Sequence, residues 1–197
     1  MKRKTNLATR RVIVLSLSFV LLAVVLLFTI PIKINKTLSA IEIKLDDPSY
    51  LQECNITITG FYHLNLFVDD TFEGAIAVSG YSQTLEKMST VHLSKEGCSL
   101  YYHRFEEGLY DEDGRLKRFE YSLGNIMIGR FFNNMVIAVY SDNPLDKDRG
   151  WKEYGSWGTW NERDGYCIVS NVSSYEEAVQ TLLARGVIQH TPVQKNL

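Results

Sequence analysis

The sequence lacks the short motifs that identify the common catalytic and nucleotide-binding sites. It has no G-x-S-x-G nucleophile elbow, no P-loop, no dinucleotide-binding fingerprint and no H-E-x-x-H zinc motif. No motif therefore indicates an α/β-hydrolase, a nucleotide-dependent enzyme or a zinc peptidase. The sequence predicts no cofactor and favours a non-enzymatic role.

Cysteine is scarce, and its spacing excludes the usual CxxC metal and redox motifs. The three cysteines are Cys54, Cys98 and Cys167. They can form at most one disulfide and always leave one thiol over. The sequence favours buried free thiols on strands, and a single disulfide is the alternative.

Charge is absent between Val12 and Ile32, a run of 21 residues. At a rise of about 1.5 Å per residue, this run matches the roughly 30 Å hydrocarbon core of a bilayer. It predicts a transmembrane signal-anchor helix over residues 12–32. Five basic and no acidic residues precede it in residues 1–11. The positive-inside rule then predicts a single-pass protein of the cell membrane with a cytoplasmic N-terminus and an extracytoplasmic C-terminal domain.

A cleaved signal peptide is the alternative interpretation of this run. Its apolar region would be shorter, about 7 to 15 residues, and would end near a small-x-small cleavage site. The nearest such site, Leu38 to Ala40, begins with leucine and lies several residues past the run. A retained anchor is therefore favoured.

The chain after residue 32 carries an excess of acid, which restricts its partners. It holds 16 Lys and Arg against 23 Asp and Glu, a net charge of −7. Such a charge disfavours polyanions, so nucleic acid is not a predicted partner. The predicted partners are the membrane, through one span, and another membrane or envelope protein or a glycan.

Apolar residues after the predicted span recur with the period of two that is typical of strands. Ile56 and Ile58, for example, alternate with Asn55 and Thr57. The pattern predicts a mainly β fold, an antiparallel sheet of sandwich or barrel-like form with one C-terminal amphipathic helix. The predicted organisation is a cytoplasmic basic tail (1–11), the transmembrane helix (12–32), a stalk (33–40), an extracytoplasmic β-rich domain (41–190) and a loose tail (191–197).

The C-terminal helix has clear start and stop signals. Ser174 and Glu177 have the spacing of a capping box. Val179 and Leu182 follow at helical spacing, and Gly186 is a suitable C-terminal cap. One apolar face predicts that this helix lies across the sheet.

Aromatic residues are concentrated near the end of the β-rich domain. All three tryptophans, Trp151, Trp157 and Trp160, lie within ten residues of each other, and Tyr154 lies among them. Two interpretations stay open. The rings could fill the core, since each buries on the order of 200 Å², or these four residues could bind a protein or glycan ligand at the surface.

A loop at residues 142–150 offers carboxylates, the oxygen ligands that calcium prefers. Asp142, Asp146 and Asp148 are the candidate ligands. The spacing departs from an EF-hand loop, because Trp157 stands where the final glutamate would be when Asp146 is taken as the first position. A solvated loop is favoured over a calcium site.

Taken together, these patterns favour a membrane-anchored extracytoplasmic β-domain that binds a protein or envelope component without catalysis. The alternative is an extracytoplasmic hydrolase or glycan-active enzyme. Its site would combine carboxylates from separate strands, such as Glu106, Glu120 or Asp142. Two carboxyl groups about 5 to 9.5 Å apart in a pocket would support that alternative.

Overall fold

The computed structural model of the protein describes residues 7–65, 67–94, 97–110, 114–140, 152–153 and 159–192. Within these residues the helices are α1 (Leu7–Thr29) and α2 (Tyr175–Ala184). The strands are β1 (Ile32–Lys44), β2 (Asp47–His63), β3 (Asp70–Val78), β4 (Lys87–Met88), β5 (Val91–Leu93), β6 (Cys98–Tyr110), β7 (Leu116–Ile128), β8 (Met135–Val139), β9 (Lys152–Glu153) and β10 (Tyr166–Ser170).

The strands join into one antiparallel sheet. Their order across the sheet is β4-β6-β7-β8-β10-β1-β2-β3-β5, and β9 pairs with β7 outside this path. Near the two ends of the sheet, β3 contacts β4 and β5 contacts β6. The sheet therefore curls into a half-barrel. The predicted mainly β, antiparallel, barrel-like fold with one C-terminal helix is confirmed.

The concave face of the half-barrel holds the larger core. Ile34, Ala40 and Ile56 point to this face, as the alternation of side chains along a strand requires. Aromatic rings fill the centre, where Phe72 and Phe132 are fully buried with ring centroids 4.7 Å apart. Full burial of each such side chain stabilises the fold by about 1.5–3 kcal/mol.

The convex face carries a second core beneath α2. Val179 and Leu182 of the helix pack against Ile43, Val136 and Val169 of the sheet. These three sheet residues lie on neighbouring strands, β1, β8 and β10. The single apolar face of α2 thus lies across the sheet, as predicted.

Both ends of α2 are capped in the predicted way. The Ser174 hydroxyl accepts a hydrogen bond from the Glu177 N–H at 3.2 Å, and the Glu177 carboxylate accepts one from the Ser173 N–H at 2.9 Å. The hydrogen bonds from the Ser173 N–H and hydroxyl to this carboxylate lower the pKa of Glu177, since they favour its charged form. Gly186 takes a φ of 69° and donates its N–H to the Leu183 carbonyl at 3.0 Å. This left-handed C-terminal cap explains why glycine stands there.

β1 begins earlier than predicted. Residues 33–40, the predicted stalk, lie within β1 and pair with β2. Ile32 pairs with Tyr62, so the β-rich domain begins at Ile32 and not at residue 41. The prediction missed this strand because Pro31, the break signal between α1 and β1, lies inside the uncharged run that is assigned to the membrane span.

α1 includes residues 7–11 of the predicted basic tail and ends at Thr29. Helices usually end at or before the residue that precedes a proline, which is Ile30 here. Within the described residues, neither helix combines the length and the apolar character that a membrane span requires. The transmembrane helix predicted over residues 12–32 is therefore without structural support, and the last residue of that range belongs to β1.

A strained turn connects β7 with β8. Phe131 and Phe132 have φ values of 52° and 55°, a left-handed conformation that costs an L-residue about 1–2 kcal/mol. Phe131 packs on Tyr62 with ring centroids 5.3 Å apart. The Lys36 ammonium donates hydrogen bonds to the Phe131 carbonyl at 2.7 Å and to Asn133 Oδ1 at 2.9 Å. These contacts hold the turn in its unfavourable conformation.

Candidate functional site

Trp160 is the predicted ligand-binding residue that falls within the described residues. Trp151, Tyr154 and Trp157 lie outside them. Trp160 is half-buried and packs against the convex core. Its indole N–H donates a hydrogen bond to the Tyr166 carbonyl at 3.1 Å. One edge of the ring is therefore held in place by the backbone of β10.

Gly165 makes this position of the indole possible. A Cβ at residue 165 would lie 2.5 Å from Trp160 Nε1 and 2.3 Å from the Asn161 carbonyl oxygen. Both distances are far shorter than van der Waals contact, so any side chain at this position would displace the ring. The sequence contains the Asp164-Gly165 turn signal but does not show this packing role.

A cavity of about 400 Å³ lies beside Trp160. Val136 and Ala138 of β8 are buried and form its floor, and Met127 and Val187 are half-buried at its sides. Residues with exposed or half-exposed polar groups also line it. They are Asn125, Tyr140 and Thr159, and Gly186 at the end of α2 completes the lining.

Two of the polar side chains of this cavity, Asn125 and Tyr140, lie near the hydroxyl of Ser99. Ser99 Oγ lies 3.5 Å from Asn125 Oδ1 and 3.4 Å from the Tyr140 hydroxyl. Both contacts are long for hydrogen bonds between oxygens, so they orient these two side chains weakly. An amide and a phenol thus stand beside an apolar floor and an indole, which suits a ligand with both apolar and hydroxyl-bearing surfaces.

Trp160 also lines a second cavity, of about 320 Å³, together with Lys44, Asp164 and Tyr166. The Lys44 ammonium lies 3.1 Å from the Asp46 carboxylate and 5.7 Å from the centroid of the Tyr166 ring. The hydrogen bond to Asp46 raises the pKa of Lys44. This second cavity is therefore charged where the first is largely apolar.

A buried carboxylate on the concave face was not predicted. Glu42 is 1% exposed and accepts a hydrogen bond from the Tyr50 hydroxyl at 2.9 Å. Burial, and then the negative charge of Glu42, raise the pKa of the buried Tyr81. In the sequence, Glu42 stands between two isoleucines like an ordinary solvent-facing strand residue. Both faces of β1 are buried at this point, and only the folded sheet reveals it.

The carboxylates of the predicted enzyme alternative do not form a described pair. Glu120 is buried in β7, where its backbone lies opposite His103 and Lys152, and it lines neither cavity beside Trp160. Asp142 and the side chain of Glu106 lie outside the described residues. The pocket that would support catalysis by two carboxyl groups is therefore not observed in the described part of the chain.

The candidate calcium site lies in a part of the chain that the structure does not describe. The calcium candidates Asp142, Asp146 and Asp148 lie outside the described residues. Among the residues that are described, no group of three or more His, Cys, Asp and Glu side chains could hold a metal ion.

All three cysteines are free thiols, as the sequence favoured. Cys54 and Cys167 are buried, and Cys98 is half-buried. Burial raises the pKa of Cys167 to about 12 and that of Cys98 to about 11. Thiols with such pKa values are poor nucleophiles near neutral pH, since the thiolate is the reactive form.

Comparison of the chain with protein-family models, with curated proteins and with solved structures finds no match.

Proposed function

We propose that this protein is a membrane-anchored, extracytoplasmic binding module that holds a sugar ring of an envelope glycan against Trp160, without catalysing a reaction. The cavity of about 400 Å³ carries the proposal, because the held indole, an apolar floor and several polar groups line the same space.

The chemistry of this cavity favours a sugar over other ligands. A sugar ring has an apolar face that stacks on an aromatic ring, and hydroxyl groups at its edge for amides and phenols. Cavities of roughly 300–1,000 Å³ are the usual size for compact ligands. The net charge of −7 after residue 32 disfavours acidic polymers. Neutral and N-acetylated glycans are therefore the preferred class.

We infer membrane anchoring from the sequence and from the exposed apolar side chains of α1. This inference stands although neither described helix qualifies as a membrane span. α1 contains 18 residues of the uncharged run, Val12 to Thr29, which extend about 27 Å at 1.5 Å per residue, close to the roughly 30 Å hydrocarbon core of a bilayer. Leu15, Phe19 and Leu21 are 69%, 73% and 66% exposed. Transfer of such side chains from water into an apolar environment is favourable by about 0.8 kcal/mol per CH₂ group. The basic residues before the run place the N-terminus in the cytoplasm and the half-barrel outside.

The glycan proposal can be tested with the full chain in detergent micelles and a soluble trisaccharide of N-acetylglucosamine. Saturation-transfer NMR and calorimetric titration should both detect binding. Trp160→Ala should abolish it, because the stacking surface is removed, whereas Trp160→Phe should retain weaker binding. Tyr110→Ala is the control, since Tyr110 is 63% exposed and does not line the cavity.

Folding of the variants needs a separate check, because Trp160 also packs against the convex core. Trp160→Ala should lower the free energy of unfolding by about 2 kcal/mol, less than the 3–5 kcal/mol typical of a fully buried ring. Absence of binding by the unchanged chain to a panel of neutral, N-acetylated and acidic oligosaccharides would contradict the glycan assignment. Equal binding by Trp160→Ala and the unchanged chain would place the site elsewhere.

A further inference from the structure

We propose that the end of the half-barrel next to α1 inserts the side chain of Phe67 into the interfacial layer of the membrane. This contact would fix the orientation of the β-domain on the membrane surface. The inference rests on the proposed anchoring by α1.

The connection between α1 and the sheet is too short to let the domain stand away from the membrane. α1 ends at Thr29 and β1 begins at Ile32, so Ile30 and Pro31 alone join them. Consecutive Cα atoms are about 3.8 Å apart, so this connection spans at most about 11 Å. If α1 is in the bilayer, the first residues of β1 lie at its surface.

The β2–β3 loop lies at this same end of the half-barrel. Ile32 of β1 pairs with Tyr62 of β2. Because the two strands are antiparallel, the chain that continues past Tyr62 runs in the direction from which α1 enters β1. β2 ends at His63 and β3 begins at Asp70, so the loop between them projects toward the end of α1.

Four exposed apolar side chains lie at this end. Phe67 is 94% exposed and Val68 is 71% exposed. Phe61 of β2 and Ile30 are 48% and 60% exposed. A single exposed apolar residue is ordinary on a protein surface, but several at one end suggest a contact surface. Lipid is the occupant that the position favours, since the same end leads directly into α1.

The loop is held in shape by the carboxylate of Asp70. This group accepts hydrogen bonds from the Tyr62 hydroxyl at 2.6 Å and from the Asn65 N–H at 2.8 Å. The Asn65 side-chain amide also donates to the Asp69 carbonyl at 3.1 Å. Asn65 and Asp70 are thus bonded to neighbouring groups on either side of Phe67, while Phe67 stays exposed. Such pre-ordering lowers the entropic cost of inserting the ring.

The chemistry of this end fits shallow insertion. Aromatic side chains are enriched at the level of the lipid headgroups. Lys33 is exposed on β1, where it pairs with Phe61, and its charge favours anionic headgroups. The acidic Asp69 beside Val68 opposes deeper burial, so the ring should lie near the headgroups and not in the hydrocarbon core.

The test uses the full chain in vesicles of phosphatidylcholine and phosphatidylglycerol. A Cys98→Ala background removes the half-buried native thiol, and the buried Cys54 and Cys167 remain. Nitroxide labels are attached one at a time through Leu21→Cys, Phe67→Cys and Leu85→Cys. Collisions of each label with lipid-soluble oxygen and with a water-soluble nickel chelate are then measured.

Each label tests a different statement. Position 21 lies within α1 and reports whether the helix is in lipid. Position 85 is the matched control, because Leu85 is 78% exposed and follows β3, away from the β2–β3 loop. Position 67 should collide with the nickel chelate several-fold less often than position 85. A label attached through Val68→Cys leaves Phe67 in place. It should be protected from the nickel chelate to the same degree if the loop, and not the label at position 67, causes the insertion.

The two proposals can fail separately. A label at position 21 in lipid, with positions 67 and 85 equally open to the nickel chelate, would overturn insertion of Phe67 and leave the anchor intact. A label at position 21 that is fully open to the nickel chelate would overturn the anchor, and the inference on Phe67 with it. Protection at position 67 but also at position 85 would overturn insertion by this end alone.

Discussion

Cys98 is the most accessible of the three thiols, because Cys54 and Cys167 are buried in the two cores. We expect a disulfide reagent at pH 8 to modify one thiol per native chain, slowly, since burial raises the pKa of Cys98 to about 11. All three should react in denaturant without reductant. Cys98→Ala should remove the native reaction. A total below three in denaturant would show that two cysteines are paired.

Two residues show how far the chemistry of a single position could be predicted. Trp160 was a predicted ligand-binding residue, and it lies beside two cavities. Glu42 was not predicted, although it is the more deeply buried polar group. An aromatic cluster is visible in the sequence, whereas the burial of Glu42 depends on Tyr50 and on Tyr81, 39 positions away.

At the level of elements, Lys36 supports the strained turn between β7 and β8. Lys36→Met should lower the free energy of unfolding by about 2 kcal/mol, because hydrogen bonds from a charged group contribute about 1.5–3 kcal/mol. Lys33→Met on the same strand is the control and should change it by less than about 0.5 kcal/mol, since Lys33 is exposed. Urea melts of both variants measure the difference. Equal midpoints would show that the turn does not need Lys36.

The early start of β1 has a practical consequence for the domain. Residues 32–38 pair with β2 and contribute to the concave core. A truncation that begins at Ser39 would remove this half of the strand and expose the edge of β2. A soluble form of the domain should therefore begin before Ile32.

For the whole molecule, buried tyrosine hydroxyls and a buried cysteine thiol should make the fold less stable at alkaline pH. Burial raises the pKa values of Tyr102 and Tyr81 above the ordinary 10.0, and that of Cys167 from 9.0 to about 12. In each case the folded state holds the proton more tightly than the unfolded chain. The resulting stability is fully present below the unfolded pKa and is lost as the pH rises toward the folded pKa.

The free energy of unfolding should therefore stay constant to about pH 8, fall from about pH 9 and fall more steeply above about pH 10. Each group contributes a slope of about 1.4 kcal/mol per pH unit within its window. Urea melts between pH 8 and 11 measure this. Tyr102→Phe should reduce the slope above pH 10, although it also loses the hydrogen bond to the Ile76 carbonyl. A midpoint that does not change up to pH 11 would contradict the prediction.

The sequence alone determined the features that depend on neighbours along the chain. These are the period-two strands, the capped helix α2 and the uncharged run before the domain, because backbone preferences and caps act within a few residues. The tertiary structure decided the rest. The cavity beside Trp160 joins it to Asn125. The Glu42 site includes Tyr81, which follows β3 and lies beside Glu42 of β1 only in the folded sheet. It also decided that residues 32–40 form a strand, since pairing with β2 and not local composition places them there.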